Sequence, residues 1–187
     1  MSTVLTGIPA NVIIGDGPAR RRVIEHLLTI KAAGERWAVL DNDGGTPPAW
    51  PGDVRVSTLA GGCICCTDVG LRVALTRLLR DARPQRLLLL PSPQARIPQV
   101  LQLLSDRWLA PVLDLRATIA VLDVTGAAQM ATRCADGESA VVHVATIALE
   151  TQGASDSALA ELRRQISAAV PGARIVLVRD GALDVRL

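Results

Sequence analysis

Residues 59–68 read "LAGGCICCTD" and put Cys63, Cys65 and Cys66 into four consecutive positions of a chain whose only other cysteine is Cys134. Three sulfurs so spaced can converge on one soft or borderline cation such as zinc or cuprous copper. Gly61 and Gly62 permit the tight backbone path this convergence needs. A helix expected to begin near Asp68 aims its first amide groups at the loop, which lowers thiol pKa and favours the thiolate that a metal requires. Structural zinc prefers four ligands, so three thiolates leave one position open. Two other readings of the cluster stand beside metal binding. The cysteines can act as small apolar fillers, or Cys66 can form a readily reduced disulfide with Cys65 or Cys63.

Candidates for the fourth ligand are Asp43, Cys134, a water and a residue of a second copy of the chain. Asp43, in "LDNDGG", ends a strand where a carboxylate can reach a metal; its alternative role is to form the turn. Cys134 sits near a helix end in "MATRCADG", where a structural cysteine is the simpler reading. His26, between Glu25 and Leu27, and His143, inside "AVVHVA", each stand alone and read as core or surface histidines rather than ligands.

The composition narrows the background. A chain of 187 residues that is 49% hydrophobic can close a core without staples, and one domain over residues 1–187 is expected. No run approaches the ~18 uncharged apolar residues of a membrane span. The start "MSTVLTGIPANVIIGDG" lacks the basic opening and continuous apolar run of a signal peptide. A cytoplasmic protein is therefore expected, in a compartment where clustered thiols stay reduced. The net charge of +2, the scattered arginines and the lack of Phe and Tyr argue against nucleic acid as a partner. Lys31 is the only lysine.

The elements that must position these residues alternate between apolar runs and stretches of helical period, the pattern of a doubly wound α/β domain with a mostly parallel sheet and helices on both faces. Strands are predicted at 11–15, 36–42, 54–59, 86–91, 117–124, 139–147 and 173–178. Helices are predicted from Pro18 to about Ala33, and over 68–82, 97–109 and 155–170, with Ser155 as a cap. In 68–82 the period places Val69, Val73 (or Leu71), Leu75 and Leu79 on the buried side. The segment "GGTPPAWPGD" (44–53) is a loop. Functional loops are expected at the carboxyl ends of the strands, which is where the cysteine loop falls.

"GGCICCTD" before an amphipathic helix, the strand ending "DND" and the stretch "VIIGDGPARRRVIEHLL" resemble the P-loop GTPase domain of CobW-like proteins, relatives of UreG and HypB. The resemblance runs from about Val12 to Val178. It implies a P-loop NTPase-like fold, metal at the three cysteines, GTP hydrolysis coupled to metal delivery and a partner protein that receives the metal. The family usually carries a second, C-terminal domain, which is not expected within residues 1–187.

The nucleotide elements depart from the family's pattern. A P-loop, G-x-x-x-x-G-K-[ST], cradles phosphates with backbone amides, neutralises them with lysine and binds magnesium through its hydroxyl. The corresponding loop contains Gly15 and Gly17 but is about one residue short, with Arg20 in place of the lysine and Arg21 in place of the hydroxyl. Asp16 adds negative charge and Pro18 removes an amide. The guanine-reading N-K-x-D is replaced by "ALETQGASD", where Glu150 or Asp156 could supply the acid but nothing supplies the lysine. At the γ-phosphate-sensing position stand Leu90, Pro91, Ser92 and Pro93. Phosphoryl transfer depends on positioned charge, so GTP is not an expected cofactor. Arg20, Arg21 and Arg22 retain some capacity for an anion at a helix start.

The combined expectation is a metal-binding pseudo-GTPase, with Zn2+ the favoured ion and other thiophilic ions open. Its role would be metallochaperone, metal buffer or metal-responsive regulator, with a homodimer across the cysteine loop as one way to complete the site. The alternatives are a GTPase with an altered P-loop, a protein-docking module and a thiol redox sensor.

Overall fold

The computed structural model describes residues 6–15, 17–43, 50–59, 64, 68–135, 144–151, 153–179 and 182–183, with the backbone alone at 68, 130–135 and 183. These residues form two compact units, Met1–Ile13 with Lys31–Arg116 and Ile14–Ile30 with Ala117–Leu187.

In the first unit β1 (Ile8–Ile14), β2 (Trp37–Asp41), β3 (Arg55–Thr58) and β4 (Arg86–Leu90) run parallel in the order β3-β2-β4-β1. A short β5 (Leu113–Leu115) adds to the start of β1, pairing Ile8 with Leu113. Every residue of β2 is buried, as are the four leucines of β4. Both strands read as continuous apolar runs because both faces are covered. Because all these strands are parallel, their carboxyl ends share one edge, where Asp41, Thr58 and Leu90 end β2, β3 and β4.

Helix α2 (Asp68–Ala82) packs on β2 and β3 and has the predicted boundaries. Its buried face departs from the predicted one at Val69 in either alternative, and of Val73 and Leu71 it takes Leu71. Leu71 and Leu75 are fully buried, joined by Leu78 and Leu79, whereas Val69 is 74% exposed and Val73 is 43% exposed. Helix α3 (Ile97–Leu104) starts with Pro98 in its first turn and stops well short of the predicted 109. Asp106 ends it: its Oδ1 accepts from the backbone N of Trp108 at 2.8 Å and Leu109 at 3.0 Å, and its carboxylate pairs with Arg72 of α2.

In the second unit β6 (Ile119–Leu122), β7 (Thr146–Glu150) and β8 (Arg174–Arg179) are parallel neighbours, and β9 (Ala182–Leu183) returns antiparallel to β8. Helix α1 (Gly17–Thr29) lies on β6 and β9; α4 (Val124–Ala135) and α5 (Asp156–Ala169) pack on each other. The core joins Ala120, Ile147, Leu149, Leu159, Leu162, Ile166 and Val170. Ser155 caps α5 as expected, its Oγ accepting from the Ala158 N–H at 3.3 Å.

Several boundaries moved. β1 starts at Ile8 rather than 11 and stops before Gly15. α1 ends at Thr29, four residues before Ala33; the Thr29 hydroxyl donates to the His26 carbonyl at 2.7 Å, a local bond typical of a helix ending. The strand predicted at 139–147 is replaced by β7, three residues farther along in its end, and residues 139–143 lie outside the described set. The predicted loop at 44–53 lies partly outside it as well, and residues 50–53 carry no regular element.

Candidate metal centre

β2 delivers Asp41, Asn42 and Asp43 to the carboxyl edge of the first unit. The Asn42 N–H donates to the Leu90 carbonyl at 2.9 Å and the Leu59 N–H donates to the Asp41 carbonyl at 2.8 Å, so the ends of β2, β3 and β4 are tied together. Asn42 is 5% exposed, and both functional ends of its amide are used. Nδ2 donates to the Leu59 carbonyl at 3.0 Å, and Oδ1 accepts from the Ile64 N–H at 3.0 Å. One side chain therefore holds residue 59, just before the Gly-Gly pair, and residue 64, between the first two cysteines of the motif. The Ile64 side chain is fully buried.

Cys63 and Cys65 are the covalent neighbours of Ile64; Cys63, Cys65, Cys66, Gly61 and Gly62 lie outside the described residues. Helix α2 begins at Asp68, two residues after Cys66. Asp43 is half-buried, and its N–H donates to Asp41 Oδ1 at 2.9 Å. The carboxylate that forms this turn thus belongs to Asp41. Among the described residues no group of three His, Cys, Asp or Glu is placed to hold a metal ion.

Cys134 falls on α4, with its side chain outside the described residues, as is all of His143. His26 is half-buried on α1.

The shortened phosphate-type loop belongs to the second unit. Gly15 has φ +113°, and a Cβ there would sit 2.1 Å from the Val121 carbonyl oxygen of β6. Gly17, φ +66°, opens α1 with open space around it, and Asp16 lies outside the described residues. Arg20 is 2% exposed on the inner side of α1. Arg21 is exposed, its Nε 2.9 Å from Glu25 Oε1 one turn on. Arg22 Nε lies 3.3 Å from Oε2 of Glu150, which is 2% exposed and ends β7. Glu150 Oε1 has no hydrogen-bond partner among the described residues. Glu150 therefore sits inside a strand, ion-paired to α1, rather than in the loop after it. Asp156 is exposed and opens α5 behind its cap.

Lys31 is held elsewhere: its Nζ is 2.6 Å from Asp53 Oδ2 and donates to the Glu35 carbonyl at 3.0 Å. It clasps the chain leaving α1 to the turn that leads into β3. Asn42 is the residue that sequence reasoning passed over. An asparagine directly after a strand is a candidate for side-chain bonds to nearby backbone, but the acid beside it drew the attention.

Comparison with known proteins places this arrangement. Residues 17–176 match the CobW/HypB/UreG nucleotide-binding domain model, and the chain belongs to that family. The zinc chaperone YeiR of Escherichia coli (strain K12) is 38% identical over 120 residues, a stretch that takes in 60% of this chain and 37% of YeiR. The Zn(II)-bound YjiA GTPase from E. coli matches with TM-score 0.63 and 19% identity, over 93% of this chain and 57% of YjiA. Hydrogenase maturation factor HypB from Archaeoglobus fulgidus matches with TM-score 0.58 and 10% identity, over 92% of this chain and 81% of HypB. These structures establish the fold, the mostly parallel, doubly wound α/β fold of the P-loop NTPases. The chain covers less than two thirds of YeiR and of YjiA. No described helix is long and apolar enough to cross a membrane.

Proposed function

We propose that the chain is a CobW-like metallochaperone or metal-responsive regulator that carries zinc, or a similarly thiophilic ion, on the thiolates of Cys63, Cys65 and Cys66. The observation that carries this reading is the buried Asn42 bridge, which ties the middle of the cysteine motif to the carboxyl edge of β2. The family, and the zinc chaperone YeiR as a 38% identical relative, support the same cargo. Three sulfur donors suit a soft or borderline ion, and Asp43 stands one residue beyond Asn42 as a candidate fourth ligand. Exchange between the bound ion and the thiols of a recipient protein is the chemistry such a site offers. Zinc keeps its oxidation state throughout, and the recipient's ligands replace the cysteines one at a time.

The nucleotide half of the family's chemistry is read as lost. The sole lysine serves a clasp with Asp53, Arg21 binds Glu25, and Gly15 is required by contact with β6 whether or not a phosphate is present. None of these offers the paired lysine and hydroxyl that neutralise phosphate and hold magnesium. The protein is accordingly a pseudo-GTPase in this reading.

Cobalt(II) substitution tests the thiolate site. Cobalt added to the reduced protein should develop sulfur-to-cobalt charge-transfer absorption in the near ultraviolet, displaced stoichiometrically by zinc and missing from Cys63→Ser/Cys65→Ser/Cys66→Ser. A spectrum unchanged by the triple substitution would rule out thiolate ligation by this motif.

A further inference from the structure

Large apolar side chains left in water are scattered singly over most protein surfaces and then need no explanation. Here they gather. Among the described residues four are exposed, and three of these, Val69 at 74%, Val73 at 43% and Trp108 at 63%, fall on the outer face of α2 and on the turn that follows α3. The Arg72–Asp106 ion pair joins the two elements, with Arg72 next to Val73 on the helix and Asp106 two residues before Trp108 in the turn. We propose that this surface, built on Val69, Val73 and Trp108, docks an acidic amphipathic helix of another protein. The proposal goes beyond the metal reading and does not depend on it.

The patch is firm before any partner arrives. Val69 and Val73 lie one turn apart on a helix whose opposite side, Leu71, Leu75, Leu78 and Leu79, is buried. The Trp108 backbone N–H donates to Asp106 Oδ1 at 2.8 Å, and the Arg107 guanidinium carbon stands 4.9 Å from the centroid of the Trp108 ring. Tryptophan and arginine are the residue types that most often dominate binding energy at interfaces. Side chains already held in place lose little conformational freedom on docking.

Charge identifies the partner. From Val69 to Ala110 the chain has seven arginines and two aspartates, with no lysine or glutamate, an excess of five positive charges against a net +2 for the whole chain. Both aspartates are engaged, Asp81 with Arg80 and Asp106 with Arg72. Arg77, one turn beyond Val73 on the same stripe, and Arg107, beside Trp108, are exposed and enter no ion pair among the described residues. An apolar centre with guanidinium groups at its margins complements a helix whose apolar side chains are flanked by carboxylates, which arginine binds with two parallel hydrogen bonds. The stripe from Val69 to Arg77 spans two turns, about 12 Å, so a single helix lying along it covers it. The same positive margin opposes a second copy of this face, whose arginines would meet like charges. An anionic membrane is recognised by clusters of about four to eight basic residues, and the unpaired arginines bordering this patch among the described residues fall short of that.

The test uses the full reduced chain with isotope-labelled tryptophan. Its three indole N–H signals are followed by NMR, that of Trp108 being assigned by its loss in Trp108→Phe. The probes are two synthetic helical peptides with the same leucine face, one flanked by glutamates and the other by lysines. The glutamate peptide is expected to shift the Trp108 signal saturably and to leave that of buried Trp37 in place, while the lysine peptide shifts neither. Val73→Asp and Arg77→Glu, both at exposed positions and checked for an unchanged melting temperature, should each weaken binding at least about 10-fold. Added salt should weaken it as well. Failure of the glutamate peptide to bind, equal binding of both peptides, or binding unaltered in both variants would overturn the proposal. So would a Trp108 signal that moves with the concentration of the chain alone, which assigns the face to a second copy. A signal moved by phosphatidylglycerol vesicles and by neither peptide would overturn it in favour of a membrane surface.

Discussion

Gly15 lies against the backbone of Val121 so closely that a Cβ on it would stand 2.1 Å from the Val121 carbonyl oxygen. The glycine that looks in sequence like part of a phosphate cradle has a packing reason to be glycine. Its φ of +113° is a second one, since side-chain-bearing residues rarely adopt it. Gly15→Ala combines backbone strain of order 1–3 kcal/mol with displacement of a strand carbonyl, so a loss of at least about 2 kcal/mol is expected. Urea unfolding followed by circular dichroism measures it. A change below about 0.5 kcal/mol, the range of an ordinary surface site, would show that Gly15 and Val121 do not meet as described.

The faces of α2 give a paired prediction. Leu75→Ala should cost about 2–5 kcal/mol, because the side chain is fully buried and its removal leaves a cavity. Val69→Ser and Val73→Ser should each stay within about 0.5 kcal/mol, being 74% and 43% exposed. Chemical denaturation of the three variants orders them, and a costlier Val69→Ser than Leu75→Ala would reverse the assignment of the face.

The Lys31–Asp53 clasp sets a pH dependence. The hydrogen bond from Lys31 holds the Asp53 carboxyl below the ordinary aspartate range; desolvation opposes it, and the charge of Lys31 and a backbone hydrogen bond add to the lowering. A carboxyl whose pKa is lowered on folding stabilises the protein above its unfolded pKa, and that contribution is lost as pH falls through the folded value. Wild type should therefore exceed Asp53→Asn in urea midpoint at neutral pH, and the gap should close below roughly pH 4. A gap constant from pH 7 to pH 3 would show that Asp53 does not act through its charge.

Loss of the nucleotide machinery is tested by turnover. The reduced protein, with magnesium and GTP, should release phosphate no faster than its absence, with or without zinc. Turnover that requires magnesium and disappears in Arg20→Ala would establish an altered P-loop that works and would remove the pseudo-GTPase reading.

How much of this was legible in the sequence follows from where periodic patterning is the deciding force. The four leucines of β4, the ends of α2 and the Ser155 cap are local features, and each was read where it stands. The sequence pattern puts Val69 on the wrong face of α2 because Val69, Leu71, Val73 and Leu75 are apolar alike, and only the sheet beneath chooses among them. The run "SAVVHVATIALE" is apolar over too long a stretch for its own pattern to mark the start of a strand, so β7 was placed too early. The end of α3 depends on Asp106 turning back to two amides and meeting Arg72, a tertiary pairing with no signal in the helix itself. The cysteine motif stands out by its spacing, though Cys63, Cys65 and Cys66 lie outside the described residues. The Asn42 tether could not, because it joins residues 22 positions apart through one buried amide.

The central claim is that Cys63, Cys65 and Cys66 bind a thiophilic ion, and the most direct measurement is a zinc titration of the reduced protein against a competing chromophoric chelator. Wild type and Cys65→Ser are compared under identical conditions. The account predicts about one zinc per chain, or per two chains should a dimer share the ion, held more tightly than by the chelator and lost in the variant. No binding that outcompetes the chelator in wild type, or equal binding in both proteins, would contradict it.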